Sequence, residues 1–135
     1  MARKRKVVDT SILIRYLSGD DPDKALAVER LLKSAKKGEL ELSDVAIAEM
    51  VWVLLSFYKL TKEEILDKLE GLLSLHSVKL NQALLKRTID FYRRYNVSYV
   101  DAYLAAYSVE GMHSGVVYSY DEGLNKIKEI SCIKP

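Results

Sequence analysis

The sequence contains a single cysteine, Cys132, and only two histidines. One cysteine excludes a disulfide framework and a thiolate metal site. His76 and His113 lie far apart and near no acidic motif, so a zinc site is not expected. No apolar run approaches the ~20 residues of a membrane-spanning helix, and no signal-like apolar stretch follows the basic N-terminus. We therefore expect a cytoplasmic protein with no membrane partner.

The sequence also has little net charge, +2 from 21 basic and 19 acidic residues. This value does not identify a nucleic-acid partner, so the local distribution of charge matters more. The basic residues form three clusters: Arg3 to Lys6; Lys33, Lys36 and Lys37; and Lys86 and Arg87 with Arg93 and Arg94. These clusters could contact phosphates, or they could be solvated faces of helices, which is the simpler interpretation.

With 135 residues, 49% hydrophobic and 30% charged, the chain has the size and composition of one globular domain spanning residues 1–135. Repeats, low-complexity tracts and linkers are absent from the sequence. Strand patterns occupy residues 4–8, 40–42, 76–80, 116–120 and 130–133, the fourth as a compact buried strand. Helical patterns occupy residues 11–17, 22–37, 44–57, 62–74, 82–95 and 99–110, with a helical turn at 121–126.

Local signals mark the helix ends. Asp21 before Pro22 predicts an N-cap and a proline in the first turn, and Gly38 is predicted as the C-terminal cap of that helix. Ser43, Asn81 and Ser98 are further predicted N-caps, and Thr61 to Glu64 is a capping box. Short apolar strands separated by helices predict an α/β fold, a parallel sheet with helices on both faces.

Three acidic residues lie in unusually apolar surroundings. Asp9 follows Val7-Val8 and precedes Ile12 to Ile14, and Asp101 lies between Tyr99-Val100 and the run 102–106. Glu49 interrupts a helix that is apolar nearly all round, so we expect its carboxylate to be partly buried. A buried carboxylate is retained where it is paired, capped or bound to a cation.

The predicted positions of these acids favour a common site. Asp9 ends the first strand, and Asp121 follows the strand 116–120. Ligands of open parallel sheets bind beyond the carboxyl ends of the strands. Asp101 lies in the first turn of its helix and Glu49 about one turn into its own, so four carboxylates could converge.

Each acid also has a structural explanation. Asp9 could cap the following helix, and Asp101 could offset a helix dipole. Glu49 could pair with a buried arginine, and Asp121, beside Glu122, could belong to an ordinary turn. Converging carboxylates without histidine or thiolate partners would suit Mg²⁺ or Mn²⁺. Such an ion could neutralise an RNA phosphate and activate water for in-line displacement.

At these residues the chain resembles PIN-domain ribonucleases, in particular the VapC toxins of toxin–antitoxin pairs. Four segments in order carry the resemblance: Val7-Val8-Asp9-Thr10-Ser11-Ile12-Leu13; Ser43 to Leu54 with Glu49; Tyr99 to Ala106 with Asp101; and Tyr118-Ser119-Tyr120-Asp121. Ser119 stands where threonine is commoner. Glu122 is an alternative fourth acid.

The resemblance implies a three-layer Rossmann-like PIN fold, a short parallel sheet flanked by helices, and an endoribonuclease that depends on Mg²⁺ or Mn²⁺. It implies that Asp9, Glu49 and Asp101 hold the main ion directly or through water. Asp121 would hold a second ion or orient water, and Thr10, Ser11 and Ser119 would hydrogen-bond around these ligands. It also implies a homodimer, an RNA substrate and, for a toxin, a small antitoxin partner.

Other interpretations remain open on the sequence. A PIN ribonuclease of RNA processing and an inactive RNA- or protein-binding PIN module share these motifs. A phosphoaspartyl enzyme needs a second acid two residues after Asp9, where Ser11 stands, or a paired acid and a lysine at a strand end. No suitable lysine follows a predicted strand. The tyrosines at 99, 103 and 107 form one helical stripe, which could pack in the core or a dimer, or stack on bases.

Overall fold

A computed structural model describes residues 4–135, which form two structural units, one ending at Asn81 and the other spanning Gln82–Pro135. Arg3, in the first basic cluster, lies outside the described residues. That residues 1–135 act as one domain stays a prediction. No helix within 4–135 is long and apolar enough to cross a membrane.

A three-stranded parallel sheet organises the first unit. Its strands are β1 (Lys6–Val7), β2 (Leu40–Glu41) and β3 (Val78–Lys79), in the order β1-β2-β3. Lys6 pairs with Leu40, which pairs with Val78. The ladders are shorter than the sequence predicts, although hydrogen bonds continue one residue further, from the Val8 amide to Glu41 and from the Leu42 amide to Lys79 (both 2.9 Å).

Four helices complete this unit: α1 (Thr10–Ser18), α2 (Pro22–Ser34), α3 (Asp44–Ser56) and α4 (Lys62–Leu73). The predicted N-caps of α2, α3 and α4 are confirmed: Asp21 accepts from Lys24 and Ser43 from Ala46, and Thr61 and Glu64 form the capping box. Fully buried side chains of α3 and α4 supply much of the core: Met50, Val51, Leu54, Ile65, Leu66, Leu69 and Leu72.

The predicted end of α2 is wrong. The helix ends at Ser34, because Ala35 is already extended (φ −71°, ψ 145°). The exposed Lys36 and Lys37 bury no apolar surface that would prolong it. Gly38 instead adopts φ +66° in the turn before β2, where its amide donates to the His76 carbonyl at 3.3 Å. The glycine therefore serves the turn into the sheet rather than the helix end.

The second unit contains α5 (Gln82–Arg94), α6 (Tyr99–Val109), β4 (Val116–Tyr118), a 3₁₀ helix (Glu122–Lys126) and β5 (Ser131–Ile133). Helices α5 and α6 pack against each other, with the rings of Tyr92 and Tyr99 5.8 Å apart. Ala102, Ala105 and Ala106 are fully buried on α6. Ser98 caps α6 as predicted.

Strands β4 and β5 pair in parallel. The prediction of a compact buried strand is wrong: Val117 is buried, but Val116 is 40% and Tyr118 69% exposed. Side chains alternate across a strand, so packing on one face of this two-stranded sheet buries every second residue. The predicted α/β class, with helices flanking short parallel strands, is confirmed.

Candidate active site

Asp9 lies two residues after β1 and caps α1. Its Oδ2 accepts hydrogen bonds from the Ser11 hydroxyl at 2.7 Å and the Ser11 amide at 3.1 Å. The hydroxyl and then the amide hold the pKa of Asp9 below its ordinary value. The capping interpretation is therefore correct. It leaves the exposed, ionised carboxylate with further acceptor capacity, since a carboxylate has about four lone-pair sites.

Thr10 ties the start of α1 to the helix that carries Glu49. Its side chain is buried, and its hydroxyl donates to the Ala46 carbonyl of α3 at 3.1 Å. Ala46 precedes Glu49 by three residues, slightly less than one helical turn. The residue after the first acid thus fixes α1 against the stretch of α3 just before the second.

Glu49 is exposed, so the expectation that its carboxylate is partly buried is wrong. The core takes one side of α3, including Met50 and Leu54, while the apolar Val45 and Trp52 also stay exposed. An apolar composition therefore does not bury the whole helix surface. Among residues 4–135 no ion pair reaches Glu49, so its arginine alternative is not realised in the described part of the chain.

The second unit brings Asp101 and Asp121 together. Asp101 is half-buried in the first turn of α6, and its amide donates to the Ser98 hydroxyl at 3.1 Å. Burial first, and then the charge of Asp121, raise the pKa of Asp101, whereas a side-chain hydrogen bond from the Ser98 hydroxyl to the Asp101 carboxylate acts in the opposite direction. The dipole of α6, which would favour the ionised form, therefore does not determine the pKa of Asp101.

Asp121 is held by a local turn. Its Oδ1 accepts from the Gly123 amide at 2.9 Å, and its own amide donates to the Ser119 hydroxyl at 2.8 Å. The turn interpretation of Asp121 is thus correct, yet its charge also acts on Asp101. The Glu122 side chain is 81% exposed and lies 3.9 Å from the Lys134 ammonium.

Gly123 is a residue that the sequence analysis missed. A Cβ at this position would lie 3.0 Å from Asp101 Oδ2 and 3.2 Å from Asp121 Oδ1, closer than ordinary contact. The glycine therefore keeps open the space beside the two carboxylates. A glycine two residues after the last acid was the available signal, and it gains meaning only from the close approach of α6.

The donor chemistry of this pair fits a hard divalent cation. Two carboxylate oxygens border the space at Gly123, and a cation there would stabilise the ionised form of Asp101, which burial and the charge of Asp121 disfavour. In neither unit do three or more described His, Cys, Asp or Glu side chains come close enough to hold a metal ion. Asp9 and Glu49 belong to the first unit and Asp101 and Asp121 to the second.

The tyrosine stripe of α6 divides between core and surface. Tyr99 is buried against Tyr92. Tyr103 lies 6.1 Å from Tyr107, ring centre to ring centre, and the half-exposed Tyr107 lies 4.6 Å from His113. Core packing is therefore correct for Tyr99, while Tyr107 and His113 form an accessible aromatic pair.

Comparison with known families assigns the chain. The model of the PIN domain matches residues 6–130, which include all four predicted acids, and the chain belongs to this family. PIN domains are generally nucleases that act on RNA with divalent metal ions. A search of curated proteins found no match.

Proposed function

We propose that the protein is an endoribonuclease that hydrolyses RNA phosphodiester bonds with Mg²⁺ or Mn²⁺. Family membership supports the reaction class. The observation that carries the proposal for this chain is the pair Asp101 and Asp121, beside which Gly123 leaves space. Two repelling carboxylates are retained where a cation offsets their charge.

The proposed metal-binding residues are Asp9, Glu49, Asp101 and Asp121. When bound, the divalent ion activates water and offsets phosphate charge during in-line displacement. Ser11 holds the Asp9 carboxylate ionised and oriented, and Ser119 and Gly123 fix the turn that presents Asp121. Thr10 holds α1 against α3. The order of the four motifs along the chain supports this assignment.

Two glutamate substitutions, one inside and one outside the proposed set of metal-binding residues, test the proposal. Glu49→Gln should abolish Mn²⁺-dependent cleavage of a mixed RNA pool on a gel without changing the melting temperature, because Glu49 is exposed and forms no ion pair within the described residues. Glu122→Gln removes the same charge from another exposed position and should retain cleavage. EDTA should stop both wild type and this control. Cleavage by Glu49→Gln, or cleavage by wild type in EDTA, would contradict the proposal.

We further propose that the protein is the toxin of a type II toxin–antitoxin pair that acts in the cytoplasm. The resemblance of the four motifs to VapC toxins supports this role, with a small antitoxin as partner. Expression of wild type should arrest bacterial growth, and a short neighbouring reading frame should relieve the arrest. Normal growth with active enzyme would favour a ribonuclease of RNA processing instead.

A homodimer is the proposed assembly. On α3, Val45 is 76% and Trp52 69% exposed, and Phe57 after the helix is 75% exposed. On α6, Val100, Leu104 and Tyr107 are exposed as well. Apolar residues grouped in this way on one helix are typical of surfaces that a second subunit covers.

A further inference from the structure

Parallel pairing brings two separate basic segments together in the first unit. The Lys6 amide donates to the Glu39 carbonyl at 2.9 Å, and Arg5 Nε donates to the Gly38 carbonyl at 3.1 Å. Residues 4–6 therefore lie beside the turn 36–39, although more than 30 residues separate them along the chain. Five basic side chains form what we name the amino-edge patch: Lys4, Arg5, Lys6, Lys36 and Lys37.

Positive charge is concentrated in this patch. Residues 4–7 and 36–40 carry five cationic side chains and one acid, Glu39, whereas the whole chain has a net charge of only +2. The remainder of the chain is therefore net negative. Glu39 lies 3.8 Å from Lys6 Nζ. Lys4, Lys36 and Lys37 are exposed and take part in no ion pair with the residues that the structure describes.

Four of the five patch residues lie at the amino edge of the sheet, opposite Asp9, and the fifth, Lys6, is the first residue of β1. Lys4 and Arg5 precede the amino end of β1, and Asp9 follows its carboxyl end. Arg5 and Asp9 are four residues apart, about 13 Å of extended chain, which exceeds the Debye length of about 8 Å at physiological salt. The carboxylate of Asp9 therefore does not neutralise the patch.

We propose that the amino-edge patch binds the phosphate backbone of RNA and holds a part of the substrate away from Asp9. This proposal rests on the proposed function for the identity of the polyanion. Clustered lysines attract phosphates and release counterions on binding. Of the apolar side chains in residues 4–7 and 36–40, only Val7 is exposed, which favours a nucleic acid over a membrane surface.

The test is the salt dependence of RNA binding, measured by fluorescence anisotropy in EDTA so that no RNA is cut. The double variant Lys36→Gln/Lys37→Gln should weaken binding of a long single-stranded RNA. Its slope of log affinity against log salt should become shallower by about 1.4, because each phosphate contact of a single strand contributes about 0.7. Cleavage of a short oligonucleotide in Mn²⁺ should not change, because these lysines lie at the other edge of the sheet from Asp9.

The matched control is Lys59→Gln/Lys128→Gln, which removes two charges from other exposed positions and should keep the wild-type slope. An unchanged slope in Lys36→Gln/Lys37→Gln, or an equal change in the control, would overturn the proposal. The proposal would also be overturned if wild type bound phosphatidylserine vesicles but not RNA, and if Lys36→Gln/Lys37→Gln lost this vesicle binding. If wild type cuts no RNA but the patch variant still loses slope, the patch stands and the nuclease proposal fails. If wild type cuts RNA normally but Lys36→Gln/Lys37→Gln keeps the wild-type slope, the nuclease proposal stands and the patch proposal fails.

Discussion

The carboxyl of Asp101 differs from that of Asp9 in the sign of its contribution to stability. Burial and the charge of Asp121 raise the pKa of Asp101, so its ionised form is disfavoured in the folded state. A raised acid pKa means that stability is lost as pH rises from the ordinary Asp value through the folded value. Hydrogen bonds from Ser11 lower the pKa of Asp9, so its stabilising contribution is present above the ordinary value and is lost as pH falls through the folded one.

Asparagine substitutions should therefore separate the two acids. In EDTA at neutral pH, Asp101→Asn should melt at the same temperature as wild type or a few degrees higher, since it removes the disfavoured charge. Asp9→Asn should melt at the same temperature or slightly lower, since asparagine also caps helices. Both should lose cleavage and the stabilisation that millimolar Mn²⁺ gives wild type by mass action. Melting scans in EDTA and in Mn²⁺ measure this; lower melting of Asp101→Asn in EDTA would indicate a structural role.

Gly123 gives a steric test at the same pair. Gly123→Ala places a Cβ about where Asp101 Oδ2 and Asp121 Oδ1 approach, so cleavage and Mn²⁺ stabilisation should fall while the far-UV circular dichroism is kept. Gly71→Ala is the matched control, because a Cβ there meets nothing within 4 Å in the last turn of α4. This control should retain full activity and should gain less than the roughly 0.5–1 kcal/mol of stability expected in the middle of a helix. Wild-type cleavage by Gly123→Ala would remove the glycine from the site.

Helix ends are predictable from the sequence where neighbouring residues determine them. The N-caps Asp21, Ser43, Thr61 and Ser98 are correct because a cap bonds to amides two or three residues away. Gly38 was assigned wrongly because its role depends on β2 and on His76, which is distant in sequence.

The hydrogen bond from the Thr10 hydroxyl links α1 to α3, and its contribution to stability can be measured. Thr10→Val keeps the shape of the side chain but removes the donor to the Ala46 carbonyl. The loss should cost roughly 1 kcal/mol of unfolding free energy, and Thr10→Ser should restore much of it. Urea denaturation measures both. Ser11→Ala is a useful comparison, because its exposed hydroxyl bonds only locally, to Asp9. Equal stability of Thr10→Val and wild type would show that the bond does not hold α1 to α3.

For the whole molecule, the sequence predicts the α/β class because strand and helix patterns alternate along the chain. Exposure is less predictable from the sequence. Glu49 was expected to be partly buried in an apolar helix, yet Val45 and Trp52 of that helix are exposed with it. The adjacency of residues 4–6 and 36–37 likewise depends on strand register, which pairs Lys6 with Leu40. Composition determines neither the exposure of Glu49 nor the adjacency of the two basic segments.

Trp52, the one tryptophan of the chain, is a built-in probe of assembly. If Trp52 and Phe57, which follow Glu49 at the carboxyl-terminal end of α3, are covered by a second copy, Trp52 fluorescence should shift to shorter wavelength as the protein concentration rises through the dimer dissociation constant. Sedimentation should show a dimer at micromolar concentration. Trp52→Glu should give a monomer, because it places a charge in the buried centre of the interface. Met112→Glu alters a fully exposed apolar residue elsewhere and should remain dimeric. A wild-type monomer at micromolar concentration, with solvent-exposed tryptophan emission, would contradict the homodimer and leave the α3 surface to another partner.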